Sequence, residues 1–573
     1  MEIAMVKRTF FMPSLFISTF CVFSLFGYFC TQVKLLPGTY KKDVVVSTQK
    51  VASEVGALIL KRGGNAVDAA VAVSYALAVI YPTAGNIGGG GFMVIRKPSG
   101  EATTIDYREK APGRASRDMY LDTDGKVIRN LSTLGVLSAG VPGTVAGTLY
   151  ALEKYGTMSR DKVIEPAIEL ADTGWILGGR MGGNSFKRFP STNAIFNKPD
   201  STPYQKGERF IQKDLAATLK TIVKLGKDGF YKGRIADLIV KTMEQYNGLI
   251  TLEDLANYQA IERPPIRGTY RGFEIISMPP PSAGGICLVE LLNILERYPI
   301  GTLGWNTPET VHFMVEAERR VYADRAQYLG DPDFIKIPVE QLISKEYANK
   351  RAQDIQQDKA TPSEQVSYGE IKFTDTESKE TTHYSVVDKN GMAVAVTTTL
   401  NGGYGSYLVV DGAGFLLNNE MDDFSIKPGE PNMYGLTGSE ANAIAPDKRM
   451  LSSMTPTIIV KDGKPFMVVG SPGGSTIMTT VLQVIMNVID HGKTIQEAVS
   501  APRFHHQWLP DIVNYEREAF TDSTMARLTT MGYTLRLQRG SIGDAHSIII
   551  DPVKKLLYGG ADPRSSSSSS AGR

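Results

Sequence analysis

The sequence predicts a protein of the mixed α+β class, because helical and strand patterns alternate along its 573 residues. An Ala-rich run at residues 65–81 follows the Gly63-Gly64 turn and is typical of a helix. Residues 384–387 and 393–399 have the composition of strands. The Asn390-Gly391 pair between them is a strong signal for a hairpin turn. We therefore expect a helix and an antiparallel hairpin in one chain.

A glycine-rich loop at residues 85–91 lies between that helix and a predicted strand at residues 92–96. Phosphate-binding loops run from a strand to a helix, and in their Walker form a Lys follows the second Gly. Here the order is helix, loop, strand, and no Lys follows. The loop therefore favours close packing of the backbone over binding of a phosphate.

Composition excludes several classes of function. The net charge is +2 and no basic patch interleaved with aromatic residues is present, so we expect no nucleic-acid partner. Six His and three Cys residues show none of the spacings of zinc sites, so we expect no metal and no cofactor. Cys287 lies in an apolar run and is predicted to be a core residue.

The N-terminus has the pattern of a targeting segment. Lys7-Arg8 precedes an uncharged, Phe-rich run at residues 10–30, which is long enough to span a bilayer since that takes about 20 residues. We expect residues 1–32 to be a signal peptide or an N-terminal membrane anchor. The protein is then exported to the periplasm or outside the cell, with membrane contact only through this segment.

The strand start at Thr381 follows a polar, acidic segment at residues 351–380. The hydroxyl of an N-terminal threonine is activated by its own α-amine, which acts as the base. A cut between Glu380 and Thr381 would produce both groups at once. By itself, this pattern favours an ordinary boundary between a loop and a strand over a cleavage site.

Several motifs, read together and in order, resemble the γ-glutamyltranspeptidase family from about residue 45 to residue 564. They are Gly64-Asn65-Ala66-Val67-Asp68-Ala69-Ala70, Asp106-Tyr107-Arg108-Glu109-Lys110-Ala111-Pro112, Ala323-Asp324-Arg325, Thr381-Thr382-His383-Tyr384, Leu417-Asn418-Asn419-Glu420-Met421-Asp422-Asp423-Phe424, Leu451-Ser452-Ser453-Met454-Thr455-Pro456-Thr457, Gly470-Ser471-Pro472-Gly473-Gly474-Ser475, Ala501-Pro502-Arg503-Phe504 and Asp562-Pro563-Arg564. Thr398 and Met450 depart from the residues that the family usually has at these positions.

The resemblance implies an N-terminal-nucleophile hydrolase fold, which is a four-layer αββα sandwich built from two fragments of one precursor. The large subunit is expected to span residues 33–380 and the small, catalytic subunit residues 381–573. The two form a heterodimer that shares its sheets, so neither is an independent domain. The Ser-rich tail at residues 565–573 is predicted to be disordered.

The resemblance also assigns catalytic roles. The Thr381 hydroxyl first attacks the carbonyl of Glu380 and, after the cut, acts as the nucleophile with its α-amine as base. Thr399 orients that hydroxyl. Gly473 and Gly474 follow a predicted strand and precede a predicted helix, so their amides are expected to form the oxyanion hole.

A γ-glutamyl donor carries an α-carboxylate and an α-ammonium, and the family pattern supplies a group for each charge. Arg108 is expected to bind the carboxylate with its planar fork, together with the hydroxyls of Ser452 and Ser453. The residues that take the ammonium are Asn401, Glu420 and Asp423. Tyr434 lies in a Pro-Gly-rich stretch that resembles the lid loop of family members.

The expected function is that of a self-cleaving γ-glutamyltransferase and glutathione hydrolase, with water, amino acids or dipeptides as acceptors. Two alternatives remain at this point. One is a related glutaryl or cephalosporin acylase, whose donor lacks the α-ammonium. The other is a periplasmic binding protein without enzymatic activity, which needs neither a nucleophile nor a cut.

Overall fold

The computed structural model describes residues 36–369, 382–427, 429–436 and 440–573. Contacts divide the chain into Met1–Pro37 and a compact unit, Gly38–Arg573. The targeting segment predicted at residues 1–32 and both sides of the predicted cut, Glu380 and Thr381, lie outside the described residues. Within the described ranges, no helix combines the length and apolar character needed to cross a membrane.

Nineteen strands are present in the described part of the chain. They are β1 (Thr39–Tyr40), β2 (Val44–Ser47), β3 (Gly90–Arg96), β4 (Ala102–Tyr107), β5 (Trp175–Ile176), β6 (Arg209–Phe210), β7 (Ile261–Arg263), β8 (Ile266–Tyr270), β9 (Phe273–Ser277), β10 (Thr382–Val387), β11 (Ala393–Thr399), β12 (Thr457–Lys461), β13 (Lys464–Val469), β14 (Phe504–His505), β15 (Val513–Tyr515), β16 (Leu535–Leu537), β17 (His546–Asp551), β18 (Leu556–Ala561) and β19 (Ser569–Gly572).

Seventeen α-helices accompany them in the same ranges. They are α1 (Lys50–Lys61), α2 (Ala66–Ile80), α3 (Thr144–Tyr155), α4 (Arg160–Thr173), α5 (Pro190–Phe196), α6 (Lys213–Leu225), α7 (Asp228–Tyr231), α8 (Arg234–Tyr246), α9 (Leu252–Asn257), α10 (Gly284–Leu295), α11 (Ile300–Leu303), α12 (Pro308–Tyr328), α13 (Val339–Leu342), α14 (Lys345–Arg351), α15 (Thr476–Ile489), α16 (Ile495–Ser500) and α17 (Asp522–Met531).

Two seven-stranded antiparallel sheets form the centre of the protein. The first has the order β1-β18-β17-β13-β12-β9-β8, and the second has the order β19-β2-β10-β11-β3-β4-β7. Each sheet contains strands from both sides of residues 380 and 381. Neither predicted fragment therefore completes a sheet alone.

Side chains that alternate along the strands build the four layers. On β2, Val46 faces the other sheet in a shared apolar core with Ile458 of β12, whereas Val45 packs outward against helices that include α2. On β12, the neighbouring Ile459 packs outward with residues of α10 and α15. Helices thus cover the outer face of each sheet, and the order of layers is αββα.

The helix predicted at residues 65–81 is α2, and all of its residues are buried. The Asn65 side chain accepts hydrogen bonds from the backbone N–H groups of Val67 and Asp68, while the Asp68 carboxylate accepts one from the Asn65 N–H. This reciprocal cap satisfies backbone donors that a helix start leaves without partners. It fixes the first turn of a helix that packs directly beneath β10 and β11.

The predicted hairpin is formed by β10 and β11, which pair in register from Thr382 with Thr398 to Val387 with Ala393. Gly391 in the turn has a φ of 82°, a value that glycine adopts without steric cost. The hairpin occupies the middle of the second sheet, so the strand that follows Thr381 in the sequence is a central strand.

The glycine loop at residues 85–91 packs its backbone closely against the hairpin region. A Cβ at Gly89 would lie 2.0 Å from the Thr399 carbonyl oxygen, and one at Gly88 would lie 2.1 Å from the Leu416 carbonyl oxygen. Only glycine leaves room for these contacts. The packing interpretation of this loop is therefore confirmed.

The predicted disorder of the tail at residues 565–573 is wrong. Strand β19 pairs with β2, from Ser569 opposite Ser47 to Gly572 opposite Val44. Arg573 adds an ion pair with the Asp43 carboxylate. Serine side chains supply little apolar surface, which is why composition favoured disorder. The backbone of β2 supplies the hydrogen bonds that order this segment instead.

Candidate active site

The site surrounds the start of β10. Its nucleophile, predicted at Thr381, and the scissile carbonyl of Glu380 lie outside the described residues. Thr382 is the first described residue of β10 and pairs with Thr398 of β11. Thr399 is therefore the next residue along β11, on the side where the chain continues from Thr382 back to Thr381.

Thr399 is fully buried and connects to residues of the donor pocket. Its hydroxyl oxygen accepts a hydrogen bond of 2.7 Å from the Asn401 N–H. A hydrogen bond from Thr399 also lowers the pKa of Glu420, although burial is the larger effect and raises that pKa overall. Thr399, the last residue of β11, thus connects this strand to two of the predicted ammonium-binding residues, Asn401 and Glu420.

Arg108 follows β4 and is completely buried. Its Nη1 lies 2.6 Å from Glu420 Oε2, and its Nη2 forms an ion pair with Asp423. The Nε and Nη2 groups donate hydrogen bonds of 3.1 Å to the carbonyl oxygens of Met450 and Leu451. One guanidinium therefore holds two carboxylates in the interior.

Glu109 adds a third carboxyl group beside the same guanidinium. Its Oε2 lies 3.4 Å from Arg108 Nη1, farther than the Glu420 oxygen. Burial raises the pKa of Glu109 to about 8. Burial therefore favours the protonated form of Glu109 at neutral pH, and the Arg108 guanidinium lies closer to Glu420 and Asp423 than to Glu109.

Glu420 and Asp423 lie on a single 3-10 turn, Glu420–Asp423, which directs both toward Arg108. The third acid of the turn, Asp422, has other partners. It accepts hydrogen bonds of 2.6 Å from the Ser132 hydroxyl and 3.3 Å from the Met433 N–H, and burial raises its pKa to about 6. Asp422 therefore connects the turn to the predicted lid segment.

Ser452 and Ser453 are buried on the chain that follows Leu451. The Ser452 N–H donates to the Pro281 carbonyl oxygen at 2.8 Å, and its own carbonyl oxygen accepts from the Ala283 N–H at 2.7 Å. These bonds fix the backbone of the pair. The Leu451 carbonyl oxygen, one residue before Ser452, accepts a hydrogen bond from Arg108, so the two serines directly follow a residue that contacts this arginine.

Asn401 lies beside the predicted lid segment, since its Nδ2 is 4.0 Å from the Sδ of Met433, the residue before Tyr434. Asn401 has a φ of 69°, an unusual value for a residue with a side chain, and its Nδ2 donates to the Asn419 carbonyl oxygen at 3.0 Å. The Tyr434 carbonyl oxygen accepts a 3.4 Å hydrogen bond from Gln507, and the side chain is half-buried. The Pro428 and 437–439 parts of the lid segment lie outside the described residues.

Gly473 and Gly474 lie in the predicted turn between β13 and α15. Their φ values are 133° and 58°, which glycine tolerates best. Among the described residues, neither of their N–H groups donates a hydrogen bond. Both donors are therefore compatible with an oxyanion hole near the N-terminus of α15.

His383 connects β10 to this glycine turn. A Cβ at Gly470 would lie 2.3 Å from the imidazole ring, so the ring packs directly on the start of the turn. The ring nitrogens lie 3.0 Å from the Thr397 hydroxyl and 3.1 Å from the Ser385 hydroxyl. Burial lowers the pKa of His383 well below its ordinary value, so the ring is neutral. No group in the described ranges brings together three or more side chains suited to hold a metal ion.

Comparison with known proteins decides the family. A profile of the family described as Gamma-glutamyltranspeptidase matches residues 52–572, nearly the whole chain. The chain belongs to the γ-glutamyltranspeptidase family. It is 50% identical over 543 residues to a protein of Escherichia coli (strain K12) named Glutathione hydrolase proenzyme, which covers 94% of this chain and 93% of the relative.

Two solved structures extend the comparison. A crystal structure of cephalosporin acylase from Bacillus halodurans aligns with a TM-score of 0.82 and 26% identity, over 96% of this chain and 99% of that one. A crystal structure of Helicobacter pylori gamma-glutamyltranspeptidase aligns with a TM-score of 0.55 and 47% identity, over 56% of this chain and 94% of that one. The N-terminal-nucleophile hydrolase fold predicted from the sequence is confirmed.

Sequence reasoning assigned no role to three residues that this member of the γ-glutamyltranspeptidase family places at the site. Glu109 is the neighbour of Arg108 in the same motif, so its position in the sequence could have indicated that it lies at the site. His383 also lies inside a recognised motif. Ser132, which contacts Asp422, lies in a polar loop without any local signal.

Replacing Glu109 by glutamine tests its protonation state. A carboxyl whose folded pKa is raised loses stability as pH rises from its ordinary value of 4.5 to about 8, since only the unfolded chain ionises freely. Glutamine mimics the protonated form and pays no such penalty. We expect the difference in Tm between Glu109→Gln and wild type to increase by at least about 2 °C from pH 5 to pH 8, the shift that roughly 2 kcal/mol produces in a chain of this length. Thermal unfolding between pH 5 and pH 8 measures this, and a constant Tm difference would contradict it.

Proposed function

We propose that this protein is a self-cleaving γ-glutamyltransferase and glutathione hydrolase. The observation that carries the proposal is the buried Arg108 cluster, in which one guanidinium faces Glu420 and Asp423. An amino-acid zwitterion, with its carboxylate and ammonium on one carbon, has the charges that complement this set. Membership of the γ-glutamyltranspeptidase family supports the same reaction.

Maturation is the first step. The Thr381 hydroxyl attacks the carbonyl carbon of Glu380, the peptide C–N bond breaks, and the Glu380 acyl group is transferred to Oγ as an ester. Water then hydrolyses the ester, which leaves a carboxylate on Glu380 and a free α-amine on Thr381. The products are a large subunit, 33–380, and a small subunit, 381–573. They remain a heterodimer because both sheets need strands from each.

The mature reaction uses the two groups that the cut releases. The Thr381 α-amine accepts the proton of its own hydroxyl, since the reference pKa of an α-amine is about 8. The oxygen attacks the γ-carbonyl of the donor, and the Gly473 and Gly474 N–H groups stabilise the resulting oxyanion. The amine of the donor's scissile amide leaves with the proton that the Thr381 α-amine had accepted, and a γ-glutamyl ester of Thr381 remains. Water, an amino acid or a dipeptide then attacks this ester.

Donor binding requires an exchange of partners in the Arg108 cluster. The five N–H groups of a guanidinium are matched here by Met450, Leu451, Glu420, Asp423 and Glu109. The donor α-carboxylate accepts hydrogen bonds from some of the Arg108 N–H groups and from the hydroxyls of Ser452 and Ser453. The donor ammonium pairs with the carboxylates of Glu420 and Asp423, and Asn401 lies at the edge of this site. Each charged group of the cluster and of the donor then has an opposite charge beside it, so no buried charge is left without a partner.

A donor that lacks either charge leaves part of the cluster without a partner. Buried groups without partners reject such analogues strongly, by a factor of about 10⁴ in sites of this kind. The cluster therefore favours γ-glutamyl over glutaryl donors. The similarity to the cephalosporin acylase structure, with a TM-score of 0.82, favours the acylase alternative.

Three p-nitroanilides separate these alternatives. The γ-glutamyl donor has both charges, the glutaryl donor lacks the ammonium, and the 4-aminobutyryl donor lacks the carboxylate. We expect kcat/KM for each one-charge donor to be at least about 10³-fold below that of the γ-glutamyl donor. In Asp423→Asn, the ratio of kcat/KM for the γ-glutamyl donor to kcat/KM for the glutaryl donor should be smaller than in wild type. A glutaryl donor that is cleaved as fast as the γ-glutamyl donor would assign the protein to the acylases.

The lid and the exported location complete the proposal. Tyr434 and Met433 cover the pocket from a segment that Asp422 and Gln507 hold, so they limit the access of water and favour transfer.

The basic and apolar pattern of residues 1–32 supports export to the periplasm or beyond, through a signal peptide or an anchor. The mass of the large subunit isolated from cell fractions tests this, and an intact N-terminus in the cytosol would exclude export.

A further inference from the structure

Helix α12 supplies a second buried arginine to the donor pocket. Arg325 lies in the last turns of α12 and is 1% exposed. Its Nη2 donates a hydrogen bond of 2.8 Å to the Ser453 hydroxyl oxygen, and Ser453 is itself fully buried. The arginine belongs to the predicted large subunit and the serine to the small one. This contact therefore crosses the boundary between the two.

A hydrogen bond from a cation has a direct effect on a serine hydroxyl. The hydroxyl has a single hydrogen, and because its oxygen accepts from Arg325, that hydrogen points away from Arg325. The positive charge also polarises the O–H bond and makes it a stronger donor. Ser453 is thereby prepared to donate to an anion on its other side.

The anion that the proposed function places there is the α-carboxylate of the donor. Arg108 donates a hydrogen bond to the Leu451 carbonyl oxygen, two residues before Ser453, so the two arginines contact the same short stretch of chain. The charge of Arg325 also acts on Asp423, one of the two carboxylates that hold Arg108. The Arg108 guanidinium can thus contact the donor carboxylate directly, whereas the Arg325 guanidinium lies behind Ser453.

We infer that Arg325 is a positioning residue for donor binding, which orients and polarises the Ser453 hydroxyl toward the α-carboxylate of the γ-glutamyl donor. The inference rests on the proposed function, because it needs a donor with that carboxylate. Arg325 itself does not touch the donor. Its effect on binding passes through one side chain, Ser453.

The planar guanidinium suits this role better than an ammonium. Its central carbon lies 5.8 Å from the centre of the Tyr322 ring, one turn earlier on α12, which holds the plane in place. The Tyr322 hydroxyl in turn donates to the Ser475 carbonyl oxygen, next to the glycine turn. A lysine at position 325 keeps the charge and loses this fixed geometry.

A double-mutant cycle on the cleaved, purified enzyme tests the inference. The proteins are wild type, Arg325→Lys, Ser453→Ala and the double variant, assayed with γ-glutamyl-p-nitroanilide. We expect each single change to raise the donor KM about tenfold and to leave kcat within about threefold. Because Arg325 acts through Ser453, the double variant should have a KM within about twofold of Ser453→Ala alone.

The 4-aminobutyryl donor and a second arginine provide the controls. Arg325→Lys should leave kcat/KM for the 4-aminobutyryl donor unchanged, since that donor has no α-carboxylate. Arg320 is equally buried on α12 but pairs with Glu316 and Asp354, so Arg320→Lys should leave the γ-glutamyl KM unchanged. If Arg325→Lys is not cut, Arg325→Gln replaces it in the double-mutant cycle, since glutamine keeps an N–H donor without the charge. We expect the same changes in KM and kcat for this variant.

The outcomes separate two failures. KM increases that multiply to about 100-fold in the double variant would show that Arg325 acts independently of Ser453. If Arg325→Lys lowers kcat/KM for the 4-aminobutyryl donor as much as for the γ-glutamyl donor, Arg325 has a general structural role. Either result overturns the inference while wild type still cleaves the γ-glutamyl donor. A cleaved wild-type enzyme without γ-glutamyl activity would instead overturn the proposed function.

Discussion

Thr381→Ala is expected to give a single uncut chain with kcat at least about 10³-fold below that of wild type. Alanine has no hydroxyl to attack Glu380, so neither the ester nor the free α-amine forms. The variant therefore loses maturation and turnover through the same atom. A denaturing gel and a γ-glutamyl-p-nitroanilide assay on purified protein measure the two effects.

Thr382→Ala is the matched control for this change. Thr382 is the adjacent threonine, buried at the start of β10, and has no assigned role in the reaction. It should be cut as wild type is, with kcat within about threefold. An uncut Thr382→Ala together with a cut Thr381→Ala would transfer the nucleophile to Thr382.

Arg108→Ala is expected to raise the donor KM at least about 100-fold, because the charge that receives the α-carboxylate is removed. The cut before Thr381 should still occur, since Arg108 has no role in that reaction. Removal of the guanidinium also leaves Glu420 and Asp423 buried without their cation. We expect unfolding to require about 3 to 5 kcal/mol less than in wild type. Steady-state kinetics and chemical denaturation measure the two consequences.

Two further variants control for the loss of an arginine. Arg108→Lys keeps a charge without the fork, so its KM should fall between wild type and Arg108→Ala. Arg271 pairs with Asp490 at the end of α15 opposite the glycine turn, and Arg271→Ala should leave the donor KM within about twofold. An unchanged KM in Arg108→Ala would remove Arg108 from the donor site.

The elements that sequence predicted best have strong local patterns. The α2 helix has an Ala-rich run with a capping Asn, and the β10–β11 hairpin has an Asn-Gly turn between two apolar strands. Local sequence alone left Thr381 as an ordinary strand start. The resemblance of distant motifs to one family assigned the catalytic and donor-binding roles, which remain predictions for the experiments above.

Features that depend on contacts between distant segments were not predictable in this way. The tail at 565–573 is ordered by the free edge of β2, which lies more than 500 residues earlier. The protonated state of Glu109 arises from burial beside a cluster whose members come from three separate motifs. The contact of Arg325 with Ser453 joins a helix of one predicted subunit to a loop of the other. None of these effects is encoded in a short stretch of sequence.

The N-terminal sequence of the fragments of purified wild-type protein tests the central claim most directly. We expect two bands on a denaturing gel, the smaller of which begins Thr381-Thr382-His383-Tyr384. We also expect γ-glutamyl hydrolysis to appear only as these bands appear. A single uncut chain with full activity, or a small fragment that begins at any other residue, would contradict it.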